Sequence, residues 1–182
     1  MRKFGAIVFV LFLLAAAGVA QVPTSGNVYF GWSLNHGEVV PFSDTRTLHG
    51  WEASVEGHMF PYVGLVADVS QQFGTVFLGG PFGFHSEERT EQYLVGPRAS
   101  FRVGPVRPYA HFLIGVGHVH EINHNVGFED SDTSYAHAIG GGVDYSLAGP
   151  LNWRFQVDSL TTNFYDDWQH NTRFSTGLAV HF

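Results

Sequence analysis

The chain has 182 residues, no cysteine and a formal net charge of −7 at pH 7. The lack of cysteine excludes a disulfide framework, a thiolate metal site and a lipoprotein anchor. The acidity, with lysine absent after Lys3, excludes nucleic acid as a natural partner, because phosphate binding needs clustered basic residues. Mean hydropathy near zero is low for a helical membrane protein and suits strands whose two faces average out.

Arg2 and Lys3 form a basic start, Phe4 to Ala17 is apolar, and Gly18-Val19-Ala20 supplies small residues at a cleavage site. The apolar run is short for a spanning helix, which wants ~20 residues. Residues 1–20 are therefore predicted to be a cleaved secretory signal peptide, leaving one domain, 21–182.

Eight segments of period-two alternation follow. The first, Val28 to Asn35, sets Val28, Phe30, Trp32 and Leu34 against Tyr29, Gly31, Ser33 and Asn35. The second, Leu48 to His58, sets Trp51, Ala53 and Val55 against Glu52, Ser54, Glu56 and His58. A carboxylate at every second inward position does not line a dry soluble core. The third, Val63 to Phe73, sets Leu65, Ala67 and Val69 against Gly64, Val66, Asp68 and Ser70. The fourth, Gln92 to Val103, places Val95, Ala99, Phe101 and Val103 outward and Arg98, Ser100 and Arg102 inward. Pro97 removes a ladder donor there, and a local bulge is expected. The fifth, Tyr109 to His120, sets Phe112, Ile114 and Val116 against His111, Leu113, Gly115 and Gly117. The sixth, Ser134 to Leu147, sets Ile139, Val143, Tyr145 and Leu147 against Gly140, Gly142 and Asp144. The seventh, Trp153 to Asn163, sets Phe155 and Val157 against Arg154, Gln156 and Asp158. The eighth, Asn171 to Phe182, sets Phe174, Thr176, Leu178, Val180 and Phe182 against Arg173, Ser175, Gly177, Ala179 and His181.

The connections alternate in kind. Met59 to Tyr62, Gly104 to Pro108 and Ala148 to Asn152 are short and rich in Gly or Pro, as turns are. Gly37 to Thr47, Gly74 to Glu91, Glu121 to Thr133 and Phe164 to His170 are mostly longer and more polar. Short turns alternating with longer loops is the pattern of an outer-membrane barrel, with turns in the periplasm and loops outside.

The ending Ser175, Gly177, Val180, Phe182 resembles the closing-strand signal of bacterial outer-membrane β-barrels. With Gly50 to Gly57, Val95 to Phe101 and Ala138 to Tyr145, it makes the whole of 21–182 resemble the small barrels of the OmpA transmembrane-domain and OmpX type. The resemblance implies an all-β fold, an eight-stranded antiparallel up-and-down transmembrane barrel in a Gram-negative outer membrane. Export would run through the periplasm. It also implies outer-membrane lipid and the barrel assembly machinery as partners, with Phe182 as the machinery's handle. It says little about function, because such barrels serve as anchors, adhesins, receptors and occasional enzymes.

Four constellations could carry chemistry. The predicted lumen holds Glu52, Glu56, Asp68, Asp144 and Asp158 with Arg98, Arg102, Arg154 and Arg173, and His58, His111 and His181 share the face. Buried charges need partners, and a barrel of eight strands has an interior only wide enough for side chains, so a polar plug is expected. Arg98 and Arg102 are expected to pair with Glu52, Glu56 or Asp68. His118, His120, His124, His137 and His170 gather toward one end, in a spacing that matches no closed metal site. The run Glu129-Asp130-Ser131-Asp132 is oxygen-rich but lacks the ligand order of an EF-hand loop. His170 and Ser175 are a serine and a histidine close in sequence, but odd spacing puts them on opposite faces and no G-x-S-x-G accompanies them. No cofactor, metal site or catalytic residue is therefore predicted. The expected function is a structural and surface-interaction barrel with an extracellular ligand at its loops. A narrow channel is the alternative, and a lipid-modifying enzyme is the third.

Overall fold

A computed structural model of the chain describes residues 25–39, 44–78, 84–123, 128–164 and 168–182. The predicted signal peptide lies outside these residues. The strands are β1 (Gly26–Val39), β2 (Asp44–Phe60), β3 (Val63–Leu78), β4 (Phe84–Ser100), β5 (Val106–Asn123), β6 (Phe128–Ala148), β7 (Leu151–Thr162) and β8 (Gln169–His181). Each pairs with the next, β8 returns antiparallel to β1, and the sheet is a closed barrel. At the seam Val28 faces Val180, Gly31 faces Gly177 and Trp32 faces Thr176. Gly26 and Phe182 exchange backbone hydrogen bonds of 2.9 and 3.0 Å. The seam leaves no unpaired strand edge to template aggregation.

The alternation decides which face goes where. In β7 the side chains of Trp153, Phe155 and Val157 are exposed, while Asn152, Arg154, Gln156 and Asp158 are buried. The outward rings pack on one another, Phe30 on Trp51 at 6.3 Å and Trp153 on Phe155 at 5.1 Å between centroids. Apolar outside and polar inside is the inverse of a soluble barrel and matches a lipid solvent. The interior is not wholly polar: Val66, Leu94, Leu113, Ala136, Ala138 and Leu160 form a buried apolar cluster on its β3–β7 side.

Three sequence expectations are corrected. The segments expected as loops are largely strand, since pairing continues to Val39↔Asp44, Leu78↔Phe84 and Asn123↔Phe128. A ladder needs only backbone groups, so it persists where the outward face has turned polar and the apolar signal has ended. β4 stops at Ser100 rather than Val103. Beyond it the chain turns through Gly104, whose φ of 60° is left-handed and suits a residue without Cβ. Finally, Pro97 makes no bulge. The β4–β5 ladder skips Gly96 and Pro97 between Val95↔Ile114 and Arg98↔His111 with its register unchanged. The ring of Pro97 sits on the exposed face. The irregularities lie instead at His58/Phe60 and Ser146/Ala148, beside two of the short turns.

Candidate functional site in the barrel lumen

Period-two alternation sends every second residue inward, and closure brings the inward residues of opposite strands within reach. Arg173 of β8 is fully buried. Its guanidinium donates to Asp158 of β7 at 2.6 and 2.9 Å, and to Asp68 and Ser70 of β3 at 3.0 and 2.9 Å. Glu52 of β2 lies 3.5 Å away. Arg154 of β7 grips Asp144 of β6 through two bonds of 2.6 and 2.8 Å and reaches Asn27 of β1 at 3.1 Å. Arg98 of β4 donates to Glu56 of β2 at 3.1 Å and meets Nδ1 of His111 at 3.3 Å. His111 in turn meets Asp158 at 2.8 Å. Each of these buried guanidiniums thus has a carboxylate partner, while Arg98 Nε and Arg154 Nη1 make no hydrogen bond among the described residues.

Arg102 is a correction. It is exposed, and it donates to Gly104 O at 3.2 Å and to Ser146 Oγ at 3.4 Å rather than to an inward acid. The chain has left the ladder by Phe101, so strand parity no longer sets its direction. Of the closing-strand residues, Ser175 is buried and donates to Glu52, Gly177 faces Gly31, and Val180 and Phe182 point outward.

Two tyrosines complete the network: from the sequence, Tyr29 is placed on the inward face and Tyr109 on neither face. Tyr29 and Tyr109 are buried, and Arg154 lies over both rings at 5.0 and 4.9 Å. Arg98 lies 4.2 Å over Tyr109, a cation–π contact strengthened by desolvation. Tyr109 also donates to Gln156 at 2.7 Å, and Gln156 donates to Glu52 at 2.8 Å and Asp158 at 2.9 Å. The signal was present in the phase of the alternation, which puts both tyrosines inward. An inward glycine makes room for one of them: a Cβ on Gly142 would lie 2.6 Å from the Tyr109 hydroxyl.

A wall that is apolar outside, polar inside and closed by its own last strand can stand in an outer membrane. The outer membrane protein β-barrel domain model matches residues 6–182. The chain belongs to that family. It is an outer-membrane protein of the Gram-negative type, crossing the bilayer with strands. Among solved structures it is similar to Neisserial surface protein A, at 12% identity and a TM-score of 0.68, covering 86% of this chain and 97% of that one. Ail of Yersinia pestis, solved with the heparin analogue sucrose octasulfate, is 13% identical with a TM-score of 0.60, covering 87% and 98%. The N-terminal β-barrel domain of Pseudomonas aeruginosa OprF is 14% identical with a TM-score of 0.52, covering 89% and 100%. At these identities the likeness is one of fold. No curated protein matches the chain in sequence.

In an outer-membrane barrel the short turns face the periplasm. The opposite end of this one carries a polar cross-strand pair on the outward face of each hairpin. Nδ1 of His36 meets Thr47 at 3.0 Å, Gln71 donates to Glu91 at 2.7 Å, His118 meets Thr133 at 2.7 Å and His170 meets Thr161 at 3.2 Å. His118 and His170 are thus bonded to threonines on the outer wall. His137 packs against Trp168 at 6.3 Å and Tyr135 at 5.7 Å. Among the described residues no group of three or more His, Asp or Glu could hold a metal ion. His124 and the side chains of Glu129 and Asp130 lie outside the described residues. His170 is exposed and Ser175 buried, on opposite faces of β8.

Proposed function

We propose that this outer-membrane barrel is a structural and surface-interaction protein whose lumen is filled by its own side chains. The observation that carries the proposal is Arg173, which bridges from β8 to β3 and β7 with no exposed surface. The Gln156–Glu52 bond crosses from β7 to β2 in the same interior. The apolar cluster of Val66, Leu94, Leu113 and Leu160 occupies the neighbouring wall of the interior. Passage of solute would require breaking charged pairs in a dry site, which is costly.

In this proposal residues 1–20 are the export signal, and Ser175, Gly177, Val180 and Phe182 are read by the barrel assembly machinery. The outer ends of the four hairpins meet an extracellular ligand. In the sequence, the stretches around the outer connections are rich in acids, among them Glu121, Glu129, Asp130, Asp166 and Asp167, which favours a cationic partner over a sulfated sugar of the kind held by Ail. Proteoliposomes loaded with a small dye and a small sugar test the filled lumen. Retention of both is expected. Efflux that scales with protein content would replace the proposal with a transport role.

A further inference from the structure

The periplasmic end holds a cavity of about 520 Å³ lined by His58, Arg102, Arg107 and His181, with Phe60 and Tyr62 at its rim. That volume is within the usual range of small-molecule sites, roughly 300–1,000 Å³. Its charge stands out against a chain of net charge −7. The three guanidiniums of the lumen network are each within ion-pair distance of a carboxylate, Arg98 with Glu56, Arg154 with Asp144 and Arg173 with Asp158. Arg102 and Arg107 are bonded otherwise. Arg102 holds a backbone carbonyl and a serine hydroxyl. Among the described residues, Arg107 meets Nδ1 of His181 at 3.3 Å. Asp144 is the register partner of Arg107 on β6, but its oxygens are turned to Arg154 and to Nε2 of His181, the latter at 3.3 Å. Glu56 is likewise engaged by Arg98 and lies 3.4 Å from Nε2 of His58. Asp144 and one oxygen of Glu56 are therefore engaged, and the two arginines line a cavity whose described lining holds no Asp or Glu side chain, its acid group being the α-carboxylate of Phe182.

We propose that this periplasmic mouth binds a phosphate-class anion, a free phosphate or the phosphate of a lipid headgroup, through Arg102 and Arg107. The guanidinium fork matches two oxygens of a phosphate at once. Phe60, Tyr62, Phe101 and Phe182 are 55 to 66% exposed around the opening, the environment in which aromatic side chains meet a membrane interface.

The test uses the full barrel folded in detergent micelles and titrated calorimetrically with three probes: inorganic phosphate, dioctanoyl phosphatidylglycerol and dioctanoylglycerol. Either phosphate-bearing probe should bind, and Arg107→Gln should weaken it about tenfold or more, the usual scale for losing a charged hydrogen bond. Arg102→Gln should do the same, and because Arg102 is exposed this variant folds even if Arg107→Gln does not. Binding of inorganic phosphate assigns a soluble anion, and binding of the phospholipid alone assigns a headgroup. Both results support the site. Equal binding of dioctanoylglycerol, no binding of either phosphate probe, or affinities indifferent to both substitutions would overturn it.

Discussion

Removing the Arg173 side chain should be among the most damaging single changes available to this barrel. The guanidinium has no exposed surface and makes its bonds to Asp158, Asp68 and Ser70 simultaneously, with Glu52 beside it. Arg173→Ala would leave these carboxylates facing one another without their shared cation. Breaking a buried pair by deleting one partner costs about 3–5 kcal/mol, and a cation serving several acids belongs at the upper end of that range. The remedy is to remove charge on the other side. Arg173→Met combined with Asp158→Asn and Asp68→Asn should cost clearly less than the sum of the single changes, because no lone charge remains. Arg173→Lys should fall between, since it keeps the charge but loses the planar fork that spans β3 and β7. Reversible urea unfolding in lipid vesicles, followed by tryptophan fluorescence and by heat-modifiable gel migration, gives the free energies. An Arg173→Ala barrel within about 1 kcal/mol of the parent, or strictly additive combinations, would refute the network as a stabilising unit.

Arg98→Ala should also destabilise by about 3–5 kcal/mol and couple to Glu56→Gln, as a double-mutant cycle in the same unfolding assay would read. Arg102→Ala should change stability by less than about 0.5 kcal/mol, because the side chain is exposed; a loss as large as that of Arg98→Ala would contradict its placement. Pro97→Ala should be nearly silent in thermal unfolding, within about 1 kcal/mol, since the β5 ladder already skips that position. Deleting Phe182 removes the backbone pair with Gly26 and the handle proposed for assembly. Fractionation should then find the protein in the periplasm or degraded, and normal surface display would count against the closing-strand role.

The wall was legible because lipid and lumen impose opposite demands on successive residues. Glu52-Ala53-Ser54-Val55-Glu56 declares its faces without any structure. So does Arg154-Phe155-Gln156-Val157-Asp158. Strand length was less legible: beyond the bilayer the outward face carries His36, Glu91 or His170, and period-two contrast vanishes while the backbone ladder continues. Arg102 was misplaced for a related reason, since parity holds only while the chain stays in the ladder. The partner of each inward charge was harder still. That Arg173 would meet Asp68, more than a hundred positions away in sequence, depends on closure and strand stagger, which alternation does not encode. Alternation puts Tyr29 on the inward face, but neither its part nor that of Tyr109 beneath the buried guanidiniums was legible, because aromatics in such walls are expected on the lipid side.

A lumen closed by its own charge network is tested most directly by single-channel recording of the folded barrel in planar bilayers, with Arg173→Ala as the comparison. The bilayer containing the parent barrel should stay at baseline current, and only the variant, if it inserts, should show fluctuating openings. Steady, voltage-independent conductance from the parent, unaltered by Arg173→Ala, would contradict the filled lumen.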